Sequence, residues 1–204
     1  MFVYKKIIFS VIIIVVIRMS NIAIFISGEG TLLKRIIKAS NNGEINLKIK
    51  LVISSNESCN GVKIAQTAGI NVISTNNESE IIERLQQNNI DFIILAGYLK
   101  LLPNKIVNKY PKRIINIHPS LLPSFGGVGM YGINVHKAVI SSNSKISGAT
   151  IHYVDNNFDT GAIIEQSIIE VETFETAESL QMKIQQEEEK LLIKVIKRKI
   201  IENG

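Results

Sequence analysis

Asn116 and His118, in the string Ile115-Asn116-Ile117-His118-Pro119-Ser120-Leu121-Leu122-Pro123, have the residue types and spacing to stabilise a developing oxyanion. On a strand, side chains two apart share a face, so Asn116 and His118 point one way while Ile117 packs the other. Pro119 disfavours helix for His118 and keeps it extended at the strand's end. Asparagine donates a hydrogen bond; protonated histidine donates a bond or a proton. An isolated histidine is most often a satisfied core residue, but Asn-x-His-Pro at a strand end argues against that here.

Two further pieces bear on the same chemistry. A carboxylate near His118 would favour the imidazolium and raise its pKa. Asp159, in Phe158-Asp159-Thr160-Gly161, is the candidate; in sequence terms it serves equally well as a turn-former, and only the fold can bring it to His118. The other piece is Ser27-Gly28-Glu29-Gly30-Thr31, where glycines let the backbone approach a ligand and a helix start offers free N–H groups to an anion. It is neither a complete G-x-G-x-x-G nor a Walker loop, so dinucleotide or ATP use is unsupported.

These residues need a scaffold that presents strand ends. From Ile22, short apolar runs alternate with amphipathic stretches of helical length. The spacing predicts strands over Ile22–Ile26, Ile49–Ile53, Val72–Ile73, Phe92–Leu95 and Ile114–Ile117. Helices are expected over Thr31–Ser40, Val62–Ala68, Ser79–Gln87 and Asn104–Lys109, with Gly43, Gly69, Pro103 and Pro111 as punctuation. Such alternation implies a parallel sheet with helices on both faces, which binds ligands beyond its strands' carboxyl ends. Later, Ala149–Val154 and Ile163–Val171 are expected to pair antiparallel at the far edge. Ser179–Ile200 reads as one long amphipathic helix whose Gln185–Lys190 stretch is polar all round. The fold class is a single Rossmann-like α/β domain with a mostly parallel sheet, an antiparallel edge and a long C-terminal helix.

The 204 residues suit one such domain, and 46% hydrophobic with 20% charged residues is a globular balance. A lone Cys59 permits no internal disulfide and fits a reducing compartment. Of the formal net charge of +5, Lys5, Lys6 and Arg18 lie in residues 1–18, which hold no acid, so the remainder carries +2. No basic stripe with interleaved aromatics is present, which disfavours nucleic acid. The apolar run Ile7–Ile17 has the form of a signal peptide's core but is too short to span a bilayer, and no small-x-small site follows it. A start at Met19 is therefore expected, with residues 1–18 as a dispensable extension; export or membrane tethering is the competing reading.

The chain resembles the phosphoribosylglycinamide formyltransferase family. The likeness rests on Ser27-Gly28-x-Gly30-Thr31, Leu95-Ala96-Gly97-Tyr98-Leu99, the Asn116–Pro123 string, and Ile151-His152-Tyr153-Val154 with Asp159-x-Gly161, in order from about Ile22 to Ile196. The resemblance implies that residues 19–204 form a cytoplasmic formyltransferase domain acting on small molecules, as monomer or homodimer. It implies 10-formyltetrahydrofolate as cosubstrate, no metal, and direct attack of the substrate amine through a tetrahedral intermediate. Asn116 and His118 would stabilise that intermediate, His118 acting as general acid while Asp159 keeps it protonated. The loop Gly28, Gly30, Thr31 and Leu32 would cradle the substrate phosphate, and Glu188 would contact its ribose or amine side. Leu99, Lys100, Leu101 and Leu102 would line the folate pocket with Val154 and Asp155, the loop Asp155–Asp159 closing over the pterin.

The chain departs from the family at Glu29 and Leu32, where asparagine is usual, and a carboxylate beside a phosphate repels it unless it points away. A Glu-His pair is replaced by Glu188-Glu189, and Thr75–Glu80 lacks a basic residue common at that place. The stretch Phe125–Gly132 suits either a mobile loop near the site or a plain surface turn. His136 and His152 are expected to be structural, and no short-range spacing supports a zinc site of His118, His136, His152 and Asp159. The competing readings are a formyltetrahydrofolate hydrolase, a methionyl-tRNA formyltransferase, which needs a further tRNA-binding domain, and a non-catalytic binding homologue.

Overall fold

The computed structural model describes residues 19–201, and the expected extension of residues 1–18 lies outside the described residues. Seven strands form one sheet in the order β3-β2-β1-β4-β5-β6-β7. They are β1 Ser20–Ile26, β2 Leu47–Ser54, β3 Val72–Ser74, β4 Phe92–Leu95, β5 Ile114–His118, β6 Ile146–Tyr153 and β7 Ile163–Glu170. The helices are α1 Thr31–Asn41, α2 Asn60–Thr67, α3 Glu78–Gln87, α4 Asn104–Lys109, α5 Ile133–Ser141 and α6 Ala177–Ile196. The first five strands run parallel; β6 is antiparallel to β5, and β7 to β6.

β1 shows why the sheet is buried on both faces. Ile22, Ile24 and Ile26 join a core with Leu33 and Ile36 of α1, Val62 and Ala65 of α2, and Leu192, Val195 and Ile196 of α6. Ala23 and Phe25 point the other way, into a core with Ile81 and Leu85 of α3 and Ile106 and Val107 of α4. All five of these β1 side chains are fully buried, as expected of a strand covered by helices on both sides. Strand alternation thus assigns each residue to one core or the other.

The expected fold class is the observed one, with element ends differing by a few residues. α6 begins at Ala177, because Thr176 caps it: the Thr176 side chain accepts from Ser179 N, while the Ser179 hydroxyl accepts from Thr176 N. Ser179 is thus the third helical residue of a capping box and not the helix start. At the other end the α-helical pattern gives way to a π-helical turn, Lys197–Ile201. β6 begins at Ile146 and ends at Tyr153, which leaves Val154 in the loop beyond it.

Candidate active site

Strand order reverses at β1, whose neighbours are β2 and β4, so the connections leaving β1 and β4 diverge to opposite faces and open a crevice at the carboxyl ends. A cleft of about 460 Å³ lies there, walled by the loops after β1, β4 and β5, by the segments 127–132 and 157–159, and by one face of α6.

One wall is made of backbone. Gly30 occupies the N-cap of α1 in a left-handed conformation and has no side chain to cap the helix. The first-turn N–H groups of a helix have no intrahelical partner, and here Gly28, Gly30, Thr31 and Leu32 all line the cleft. Gly30 is required for a second reason. A Cβ at this position, where φ is +74°, would lie 2.6 Å from Cα of Gly61 in α2. Gly61 N in turn donates to Gly28 O at 3.0 Å, so the cradle is seated on the start of α2, a support that the sequence motifs did not single out. Glu29 is exposed, and its carbonyl accepts from Asn60 Nδ2 at 3.4 Å.

The opposite wall is made of side chains. Asn116 and His118 project from β5 into the cleft, and antiparallel pairing sets His152 opposite Asn116 and Thr150 opposite His118. The loop after β6 returns Asp159 to the same point. Asp159 Oδ2 stands 3.5 Å from His118 Nδ1, and its Oδ1 stands 3.6 Å from His152 Nε2. Gly127 N donates to Asp159 Oδ2 at 2.9 Å, and Asn116 Nδ2 approaches Asp159 Oδ1 at 3.3 Å. The turn after β5 folds back so that the Phe125 carbonyl accepts from His118 Nε2 at 2.8 Å. That turn is held by Thr150, whose hydroxyl donates to Ser120 O at 2.6 Å and accepts from Leu122 N at 3.0 Å and Gln166 Nε2 at 2.9 Å.

His118 is 4% exposed. Burial pushes its pKa below the ordinary histidine value; Asp159 and the Phe125 carbonyl pull it back up, and His152 pushes it further down. The net direction is downward: desolvation of a charged ring outweighs a carboxylate at 3.5 Å. Both ring nitrogens nevertheless face acceptors, so the site is shaped for an imidazolium that forms when charge develops nearby. For Asp159, burial raises the pKa, but the nearness of His152, the charge of His118 and the Gly127 N–H together bring it below the usual carboxylate value.

The remaining predicted residues divide. Leu99, Lys100, Leu101, Leu102 and Val154 line the cleft, as does Glu188. Asp155 does not: its carboxylate accepts from Thr160 Oγ1 at 2.7 Å and from Asn157 N at 3.1 Å, fastening its own turn. From that loop it is Asn157, Phe158 and Asp159 that reach the cleft. Glu188 is 8% exposed, so the stretch around it is not polar to solvent all round. Burial first, and Glu189 second, push its pKa up to about 8, so at neutral pH it is a carboxylic acid able to donate and accept.

Residues beyond the predicted set also line the cleft, among them Gln181, Gln185, His136 and His152. Gln181 and Gln185 precede Glu188 by seven and three positions, the spacing of one helical face, and that spacing was the available signal. His136, in the first turn of α5, is 2% exposed, has no partner for Nδ1, and is pushed down to about 4 by burial and His118. His152, expected to be structural, stands against Asn116 and Asp159 in the reaction centre. Among the described residues no group of three His, Cys, Asp or Glu side chains could hold a metal ion, and no helix is long and apolar enough to cross a membrane.

A family model described as Formyl transferase matches residues 20–196. A chloroplastic phosphoribosylglycinamide formyltransferase of Arabidopsis thaliana is 40% identical over 189 residues, 88% of this chain, and this chain spans 65% of that relative's length. A phosphoribosylglycinamide formyltransferase of Haemophilus influenzae is 34% identical over 188 residues, covering 88% of this chain and 86% of that protein. Among solved structures, the phosphoribosylglycinamide formyltransferase of Bacillus halodurans superposes with a TM-score of 0.83 at 33% identity, over 91% of this chain and 97% of that one.

Proposed function

Because this chain belongs to the formyl transferase family, we propose that it transfers a formyl group from 10-formyltetrahydrofolate to the amine of glycinamide ribonucleotide in purine synthesis. The observation that carries this reading is the pairing, across one cleft, of an uncapped helix start with the Asn116–His118–Asp159 cluster. The first suits a phosphate. The second suits a carbonyl turning into an oxyanion.

In this reading the phosphate rests on the N–H groups at Gly30–Leu32, and Glu188, with its proton, takes the ribose or amine side. The folate lies along Leu99–Leu102 and Val154, under Asn157 and Phe158. The amine nitrogen attacks the formyl carbon, forming a C–N bond, and the carbonyl electron pair moves to oxygen. Asn116 and His118 stabilise that oxygen. The attacking nitrogen gives up a proton as the bond from carbon to the folate nitrogen breaks, and the folate nitrogen gains one. Neutral His118 is suited to take up the first proton and supply the second, with Asp159 stabilising the transient imidazolium. The chemistry needs no covalent enzyme intermediate and no metal. The proposed setting is the cytoplasm, with small molecules as partners.

The test is release of tetrahydrofolate from 10-formyltetrahydrofolate by the chain begun at Met19, with and without glycinamide ribonucleotide. Release that depends on the amine is the expected result. Release without it makes the protein a hydrolase. No release from folded protein leaves a binding homologue.

A further inference from the structure

We propose that His152 is a positioning residue that sets the orientation of the Asn116 carboxamide, so that its N–H edge and not its carbonyl edge faces the reacting oxygen. This rests on the formyl-transfer reading for its consequence, but the orientation itself stands on geometry. His152 Nδ1 lies 2.8 Å from the carbonyl oxygen of Tyr153. A carbonyl only accepts, so Nδ1 carries the hydrogen, and in the neutral ring Nε2 is left as a bare lone pair. That lone pair lies 3.1 Å from Asn116 Nδ2. The same amide nitrogen also meets Asp159 Oδ1 at 3.3 Å, a second acceptor that stands 3.6 Å from His152 Nε2. Turning the carboxamide over would set its oxygen against a lone pair and a carboxylate at once.

Asn116 Nδ2 is therefore engaged by both His152 and Asp159, so Asn116 is not a free donor waiting for substrate. The two bonds differ. The bond to His152 is the shorter and comes from a cross-strand pair buried in the sheet, with His152 2% exposed. The bond to Asp159 is the longer and comes from a loop residue that has Gly127 N as an alternative partner. The second is the bond that yields when a formyl oxygen acquires charge, while the first keeps the amide in register. His152 touches no reacting atom in this scheme and acts only through Asn116.

The experiment is a double-mutant cycle on His152→Leu and Asn116→Ala, with His152→Gln as the conservative variant and thermal unfolding as the check on folding. His152→Leu removes the acceptor and is expected to lower kcat about 10²-fold, the scale of losing one oxyanion donor. KM is expected to change by less than about twofold, since the lost interaction belongs to the transition state. His152→Gln can place a carbonyl oxygen where Nε2 was and should recover most of the rate. In the Asn116→Ala background His152→Leu should cost nothing further. Additive losses, or equal losses in the leucine and glutamine variants, overturn the proposal. Nitrogen-15 spectra of histidine-labelled wild-type protein give a readout independent of turnover: His152 should be hydrogenated at Nδ1 and bare at Nε2, and the reverse overturns the proposal. A wild-type protein without transferase activity defeats the functional reading instead, and the spectra still decide the orientation.

Discussion

The two walls of the cleft are built by different means. The cradle at Gly28–Leu32 offers backbone N–H groups from a helix start, and its precision comes from two glycines in contact, Gly30 and Gly61. The reaction centre offers side chains from β5, β6 and the loop beyond β6, and its precision comes from hydrogen bonds between residues far apart in the chain. A backbone site tolerates changes of side chain so long as the backbone path survives, which is how Glu29 and Leu32 can stand in the cradle. A side-chain site has no such latitude.

That contrast can be broken or sharpened by substitution. The largest effect is expected from His118→Ala, which should cut kcat by about 10²–10³-fold with thermal stability little changed. Turnover near that of the wild type would remove His118 from the chemistry.

Next is a matched pair in the cradle. Gly30→Ala places a side chain at positive φ and against the backbone of Gly61, and left-handed strain alone costs about 1–3 kcal/mol. It should lower the melting temperature and raise KM for the phosphorylated substrate. At Gly28 a Cβ meets nothing within 4 Å, so Gly28→Ala should be mild in both measurements. Equal effects at the two positions would show that the cradle does not depend on the seat against α2.

A smaller effect concerns pH. Glu188 binds its proton more tightly in the folded protein than in the unfolded chain, with a folded pKa of about 8 against 4.5. Between those values the folded state holds the extra proton, so stability falls as pH rises from about 4.5 to 8 and levels beyond it. Glu188→Gln should flatten that decline in melting curves taken across the interval. An unchanged slope would mean that Glu188 ionises normally.

The smallest effect is at Glu29. Its side chain is exposed, so its repulsion of a phosphate is screened by solvent and salt. Glu29→Asn should lower KM for the phosphorylated substrate about two- to threefold at low salt, and less at high salt. A gain far larger than that would mean the carboxylate leans into the cradle.

Much of the fold was legible because it depends on local periodicity. β1 reads Ile22-Ala23-Ile24-Phe25-Ile26 and is buried on both faces, and helix ends were marked by Gly43, Gly69 and Pro103. Capping chemistry was legible less well: Ser179 looked like the start of α6, but Thr176 caps the helix and Ser179 returns the bond. At the site, Asn116 and His118 stood out because strand spacing and Pro119 act within three residues. Asp155 fastens its own turn, and an aspartate that does so looks in a sequence like one that faces a ligand. Nothing near His152 in the chain reveals that its ring meets Asn116.

By itself the sequence determined the alternation of strand and helix, the glycine turn at the head of α1 and the shared face of Asn116 and His118, since each follows from the pitch of a strand or helix and the dihedral limits of glycine and proline. Only the tertiary structure decided which groups meet. Asn116 reaches His152 across 36 positions of chain and Asp159 across 43, the first contact created by the antiparallel register of β5 on β6 and the second by the loop beyond β6. The downward direction of the His118 pKa likewise comes from the tertiary structure, because the cost of burying an imidazolium depends on the whole surrounding wall and not on its one carboxylate neighbour.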